Sequence, residues 1–113
     1  MGQGHEIGKE SLIPGRVLVS SNSLGGVWYA LELAREFMMS QTKGGKPLTK
    51  QDSLSFEYAD HIANLISNRT LVRTAAIYYD EDDIEMRNMS AIAKLKTMGH
   101  SRNTVNQCIH LIG

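Results

Sequence analysis

The stretch "KTMGHSRNTVNQCIHLIG", Lys96 to Gly113, decides how the chain is read. Gly99 can take the left-handed conformation that ends a helix at little cost. Ser101 is a favourable N-cap for the helix "RNTVNQCIHLI" that would follow. Within it, Val105, Cys108, Ile109 and Ile112 recur at helical spacing and face inward, which leaves Arg102, Asn103, Thr104, Asn106 and Gln107 outward. Ser90 is the matching cap for the helix "AIAKLKTM" before the glycine. Residues 88–112 therefore read as a helix-turn-helix, in which a polar second helix enters the major groove of DNA. Arg102 suits guanine, and Asn103, Asn106 and Gln107 suit adenine. Ser101 and Thr104 border that polar face. Lys94, Lys96 and His100 lie nearer the phosphates and position rather than specify. The competing reading is a terminal amphipathic helix that only packs against the body.

Upstream of this stretch the chain reads as helical from Ser23. Leu24, Val27, Leu31, Ala34 and Met38 recur at three- and four-residue spacing up to about Gln41, flanked by Trp28 and Phe37. Gly44-Gly45 stops that helix and Pro47 delays the next. A second helix starts near Thr49, with Thr49 as cap and Asp52 three positions on, and buries Leu54, Tyr58, Ile62 and Leu65 before ending at Ser67-Asn68. Residues 70–79, "TLVRTAAIYY", suit a helix or, by their β-branched and aromatic content, a strand. The neighbouring helical segments and Ala75-Ala76 favour the helix. The acidic cluster Asp80–Asp83 follows at a helix start. Residues 1–22 are rich in glycine and serine without helical period, and read as an irregular extended arm or as an arm with one short strand at "RVLVSS". The fold expected is all-α: one small domain of four to five helices, with an arm over 1–22, a helical body over 23–79 and the helix-turn-helix over 88–112.

The bulk composition narrows the functional classes. At 113 residues a single domain is the simplest organisation. The lone Cys108 excludes an internal disulfide framework and fits a reducing, cytoplasmic setting. No apolar run reaches the ~18 residues of a membrane span, and residues 1–15 lack the features of a secretory signal. Twelve basic and twelve acidic residues leave no net charge to draw the chain towards phosphate. The charge is uneven, however: "DEDDIE" is followed, from Arg87 to His110, by Arg87, Lys94, Lys96 and Arg102 with no acid.

The segment "GHSRNTV" resembles the turn and recognition helix of many bacterial helix-turn-helix proteins. More broadly, residues 52–112 are similar to the sigma-factor region-4-like domains of phage late-gene antiterminators. The matching positions are Tyr78-Tyr79, Ser90, Ile92-Ala93, Gly99, Ser101, Thr104 and Val105. That resemblance implies a phage- or plasmid-like regulator that binds double-stranded DNA, with RNA polymerase or another protein as a further partner.

Other features have plainer explanations. Asp80–Asp83 has no calcium-loop spacing and reads as a solvated helix start. His5, His61, His100 and His110 make no zinc set with a single cysteine. "GQGHEIG" near the start lacks the strand and helix of a dinucleotide fingerprint. The apolar breadth of the first helix, with Trp28, Phe37, Met38 and Met39, points to a homodimer. The sequence thus leads to a DNA-binding regulator without catalytic residues, cofactor or metal. The alternative is a small protein-binding inhibitor or adaptor that uses an acidic or apolar helical surface.

Overall fold

Three long helices carry the fold. The computed structural model describes the backbone of residues 2–113 and the side chains of residues 12–113. Helix α1 spans Gly2–Ser40, α2 spans Asp52–Asp80 and α3 spans Met86–Ile112. At ~1.5 Å per residue, α1 alone is about 58 Å long, and the molecule measures 67 × 21 × 15 Å. A two-stranded hairpin, β1 (Thr42–Lys43) against β2 (Lys46–Pro47), and a 3-10 turn at Leu48–Lys50 connect α1 to α2. Gly44 and Gly45 form its tip at φ of 63° and 81°. A two-residue hairpin loop of the mirror-image type needs positive φ at both central positions, so the glycine pair makes this turn.

The seam between the helices repeats every three and four residues. On α2 the buried positions are His61, Leu65, Asn68, Val72 and Ala75, and on α3 they are Met86, Ser90, Ala93, Thr97, Thr104 and Cys108. From α1 come Ile13, Ser20, Val27, Leu31, Ala34 and Met38. This is the spacing of a supercoiled bundle. Eight of these seventeen side chains are alanine, serine, threonine or cysteine, small enough to let helices approach closely. The buried hydroxyls are mostly satisfied on their own helix: Ser20 donates to the Arg16 carbonyl at 2.7 Å, Thr97 to the Ala93 carbonyl at 2.8 Å and Ser90 to the Arg87 carbonyl at 2.9 Å. Helices α1 and α3 run parallel, with Arg16 beside Ser90 and Ser23 beside Met98 at nearly the same sequence offset.

The all-α expectation holds at the level of a mainly helical protein. Its finer form is corrected to three helices among the described residues. Residues 2–22 are not an irregular arm or a strand; they are the first half of α1. Gly and Ser have weak helix propensity, and Pro14 removes one hydrogen bond from the ladder. The segment is helical because Ile13 and Ser20 are buried in the bundle, at 1% and 0% exposure. Segments 52–68 and 70–79 are one helix, and Asn68 is buried in its middle rather than ending it. Gln51, not Thr49, precedes α2; the Thr49 carbonyl accepts the Ser55 hydroxyl at 2.7 Å.

The acidic cluster ends α2. Asp82 lies at φ 53°, while the amide of Asp83 reaches the Tyr78 carbonyl at 2.9 Å and that of Asp82 reaches Tyr79 at 3.2 Å. This is the paired bonding that closes a helix through one left-handed residue, here aspartate in place of the usual glycine. Asp83 Oδ1 then accepts the Glu85 amide at 2.8 Å just before α3 begins.

Residues 88–112 form no helix-turn-helix. Helix α3 continues unbroken through Gly99 and Ser101. Thr97 and Thr104, on either side of the supposed turn, are buried on one face at 1% and 0% exposure. A turn at Gly99 would break that register, and the packing of α3 along its length overrides the local stop signal. The inward set shifts accordingly: Thr104 and Cys108 are buried, whereas Ile109 and Ile112 are exposed.

A Cβ at Gly99 would meet nothing within 4 Å. Gly99→Ala should therefore raise stability by about 0.5–1 kcal/mol in urea denaturation. At Gly44, with its positive φ, the same change should cost roughly 1–2 kcal/mol. A loss of stability in Gly99→Ala would restore the turn.

Candidate functional site

The buried polar centre of the bundle lies where α2 faces the middle of α3. His61 is 8% exposed. Its Nε2 is 2.6 Å from Gln107 Oε1. The Gln107 amide group donates to Asn103 Oδ1 at 3.1 Å, which turns the Gln107 oxygen towards His61. His61 Nε2 therefore carries the proton and donates, and Nδ1 is the acceptor. The Thr104 hydroxyl donates to that Nδ1 at 2.8 Å. It donates across the seam, whereas the hydroxyls of Ser20, Ser90 and Thr97 donate within their own helices. His100 Nε2 approaches the same Nδ1 at 3.5 Å, with the ring centroids 5.6 Å apart. His100 Nδ1 is buried and has no hydrogen-bond partner. Burial, and secondly His61, hold the His100 imidazole below its ordinary pKa.

One turn along α3, Cys108 is buried beside a cavity of about 50 Å³ lined by Leu31, Met38, Tyr58, His61 and Leu111. Burial, with Glu57 adding to it, pushes the Cys108 thiol up. Across the bundle, Arg16, Lys94 and Arg102 border an open groove floored by Leu95 and Met98. Among the described residues, no three His, Cys, Asp or Glu side chains are gathered in a metal-binding group. The side chain of His5 lies outside the described residues.

The residues expected to face DNA divide into two groups. Lys94, Lys96, Arg102, Asn103 and Asn106 are exposed, and Ser101 is half-buried. His100, Thr104 and Gln107 are drawn inward to His61. From the sequence, His61 reads as a structural or surface histidine and Thr104 as outward. The available signal was the alternating four- and three-residue spacing through His61, Leu65, Asn68, Val72 and Ala75, which places a polar residue at a seam position.

Comparison with known proteins settles the lineage. The sequence model of the acyl-CoA dehydrogenase C-terminal domain matches residues 2–113. The chain belongs to the acyl-CoA dehydrogenase family. Mitochondrial isobutyryl-CoA dehydrogenase of Bos taurus is 32% identical over 112 residues, covering 99% of this chain and 27% of that protein. Mitochondrial short-chain specific acyl-CoA dehydrogenase of Homo sapiens is 30% identical over the same shares. The solved butyryl-CoA dehydrogenase of Megasphaera elsdenii superposes with a TM-score of 0.92 at 30% identity, covering 100% of this chain and 29% of that one. The chain thus spans little more than a quarter of the length of these relatives.

Family membership corrects the functional expectations. The resemblance to helix-turn-helix regulators and sigma region-4-like domains was a local likeness around Gly99, in a helix that has no turn there. The DNA-binding regulator and the small inhibitor or adaptor are both set aside, since the relatives are metabolic dehydrogenases. The expectation of a protein outside enzymology goes with them, as do double-stranded DNA and RNA polymerase as partners.

Cys108, buried and with its thiol pushed up, should react slowly with iodoacetamide at neutral pH in the native state and rapidly in urea. Equal rates in the two states, followed by mass spectrometry, would show that the α3 end is open.

Proposed function

We propose that this chain is the helical domain of an acyl-CoA dehydrogenase acting on short or branched acyl thioesters, and that it serves as the rigid platform on which the rest of the enzyme builds its active site. The observation that carries this reading is end-to-end similarity, in sequence and in structure, to one continuous part of butyryl-CoA dehydrogenase. The isobutyryl- and short-chain-specific relatives support the small acyl group. Residues 2–113 act here as one unit.

The outer faces suit a platform. Trp28 is 56% exposed, Phe56 69%, Leu95 73% and Ile84 94%. Apolar exposure on this scale marks surfaces that are covered in the working protein. Of the first-helix residues whose apolar breadth suggested a homodimer, Trp28 and Met39 are exposed and Met38 is buried. The exposed apolar positions are where we place the docking of the remainder of a longer enzyme. Removing two hydrogens from an acyl thioester needs an electron acceptor, which in this family of FAD-dependent oxidoreductases the flavin supplies when bound. The bundle does not fit that group by itself. The cavity beside His61, at about 50 Å³, is far smaller than a flavin ring, and the Arg16–Arg102 groove is open. The contribution of this chain to the reaction is therefore support and shape, with the redox site assembled against it.

The relatives named mitochondrial and the bacterial neighbour together support a cytoplasmic or mitochondrial-matrix setting, and the free Cys108 suits the reducing character of either.

Grafting residues 2–113 in place of the matching part of the Megasphaera elsdenii enzyme tests the platform reading. The graft should retain flavin, seen by its visible absorbance, and reduce an artificial dye when given butyryl-CoA. A folded graft that loses both flavin and dye reduction would sink the proposal.

A further inference from the structure

We propose that His61, His100, Thr104 and Gln107 form a proton-sensitive latch between α2 and α3, closed while the His100 imidazole is neutral and opened by a proton on that ring. The inference concerns the bundle itself and stands whether or not the enzymatic reading does.

The buried and unpartnered edge of the His100 ring, set against the hydrogen-bonded His61, carries it. Donation runs one way along the cluster, from Thr104 to His61 Nδ1 at 2.8 Å, from His61 Nε2 to Gln107 at 2.6 Å and from Gln107 to Asn103 at 3.1 Å. The Nε2–H donation to Gln107 fixes the His61 ring, with its Nδ1 edge turned to Thr104 and to His100 Nε2, 3.5 Å away. Protonation of His100 is poorly accommodated beside it. Its Nδ1 is buried without a partner, so an added N–H there would have nothing to bond. Its charge would also lie against His61, in a seam of low polarity.

The surroundings offer little compensation. From α1, the side chains lining the adjacent cavity are Leu31, Ala34 and Met38, none of which titrates. From α2 come Glu57 and Tyr58, one turn before His61, and from α3 comes the Cys108 thiol, which burial keeps protonated. Of these groups only Glu57 carries a negative charge, and it is exposed. Burial, and secondly the neighbouring His61, favour the neutral His100 ring. A histidine whose folded pKa is depressed contributes stability that is fully present above its unfolded pKa and is lost as pH falls through the folded one. For His100 the window opens near the ordinary histidine value of about 6.5 and extends to the acid side.

The test uses the whole chain. His100 ring resonances, assigned with His100→Gln, are followed by NMR against pH, and urea midpoints are compared between the parent chain and a His61→Met/His100→Ala double variant. In that variant Thr104 can return its hydroxyl to its own helix. The expected result is a His100 midpoint below about 6.5. The parent should also lose stability from about pH 7.5 to about pH 5.5 more steeply than the variant, approaching tenfold in the folding equilibrium per pH unit for one proton. A His100 midpoint at or above about 6.5, or identical pH slopes in the two proteins, overturns the latch. Should the double variant fail to fold, the ring titration of the parent decides by itself.

Discussion

Close approach of the three helices along one narrow seam is the constraint on which the rest of this structure depends. Ala75 and Ala93 are fully buried, as are Ser20, Ser90 and Thr104, and side chains of that size let helix backbones come near. The cost of burying hydroxyls is largely met within each helix by bonds to preceding carbonyls. A seam of this kind has little apolar volume to spend. It works because α1 is long enough to run beside both partners, its amino-terminal half included. Residues with poor helical propensity around Pro14 and Gly15 are thus held helical by what they touch.

The polar cluster at His61 is the exception that gives the seam its character. A histidine at a packing position needs partners for both ring nitrogens, and α3 supplies them from Thr104 and Gln107, with His100 one turn before. The same low polarity that strengthens these bonds makes a charge there costly. Specific pairing of α2 with α3 and sensitivity to protons therefore come from one arrangement.

The narrow core leaves broad apolar surface outside, and this links the fold to its family. Trp28, Phe56 and Leu95 all face outward. The solved butyryl-CoA dehydrogenase of Megasphaera elsdenii contains a counterpart of this bundle within a chain more than three times as long.

Helical character was legible in the sequence, and so was the inward face of α1 from Val27 to Met38, because its large apolar residues recur at helical spacing. The stop at Gly44-Gly45 was legible too, since positive φ is a demand that glycine meets locally. Outside these stretches the outcome depended on contacts between segments far apart in the chain. Whether Gly99 is a turn or a helical residue rests on Thr97 and Thr104 packing against other helices, and whether residues 2–22 are an arm or a helix rests on Ile13 and Ser20 doing the same. Small polar residues give the same local signal in a turn, at a surface and in a tight seam. The sequence by itself determined which stretches favour a helix and where the chain can reverse. Only the tertiary structure decided which polar side chains are inside, because a buried hydroxyl or imidazole is defined by partners that its own segment does not contain.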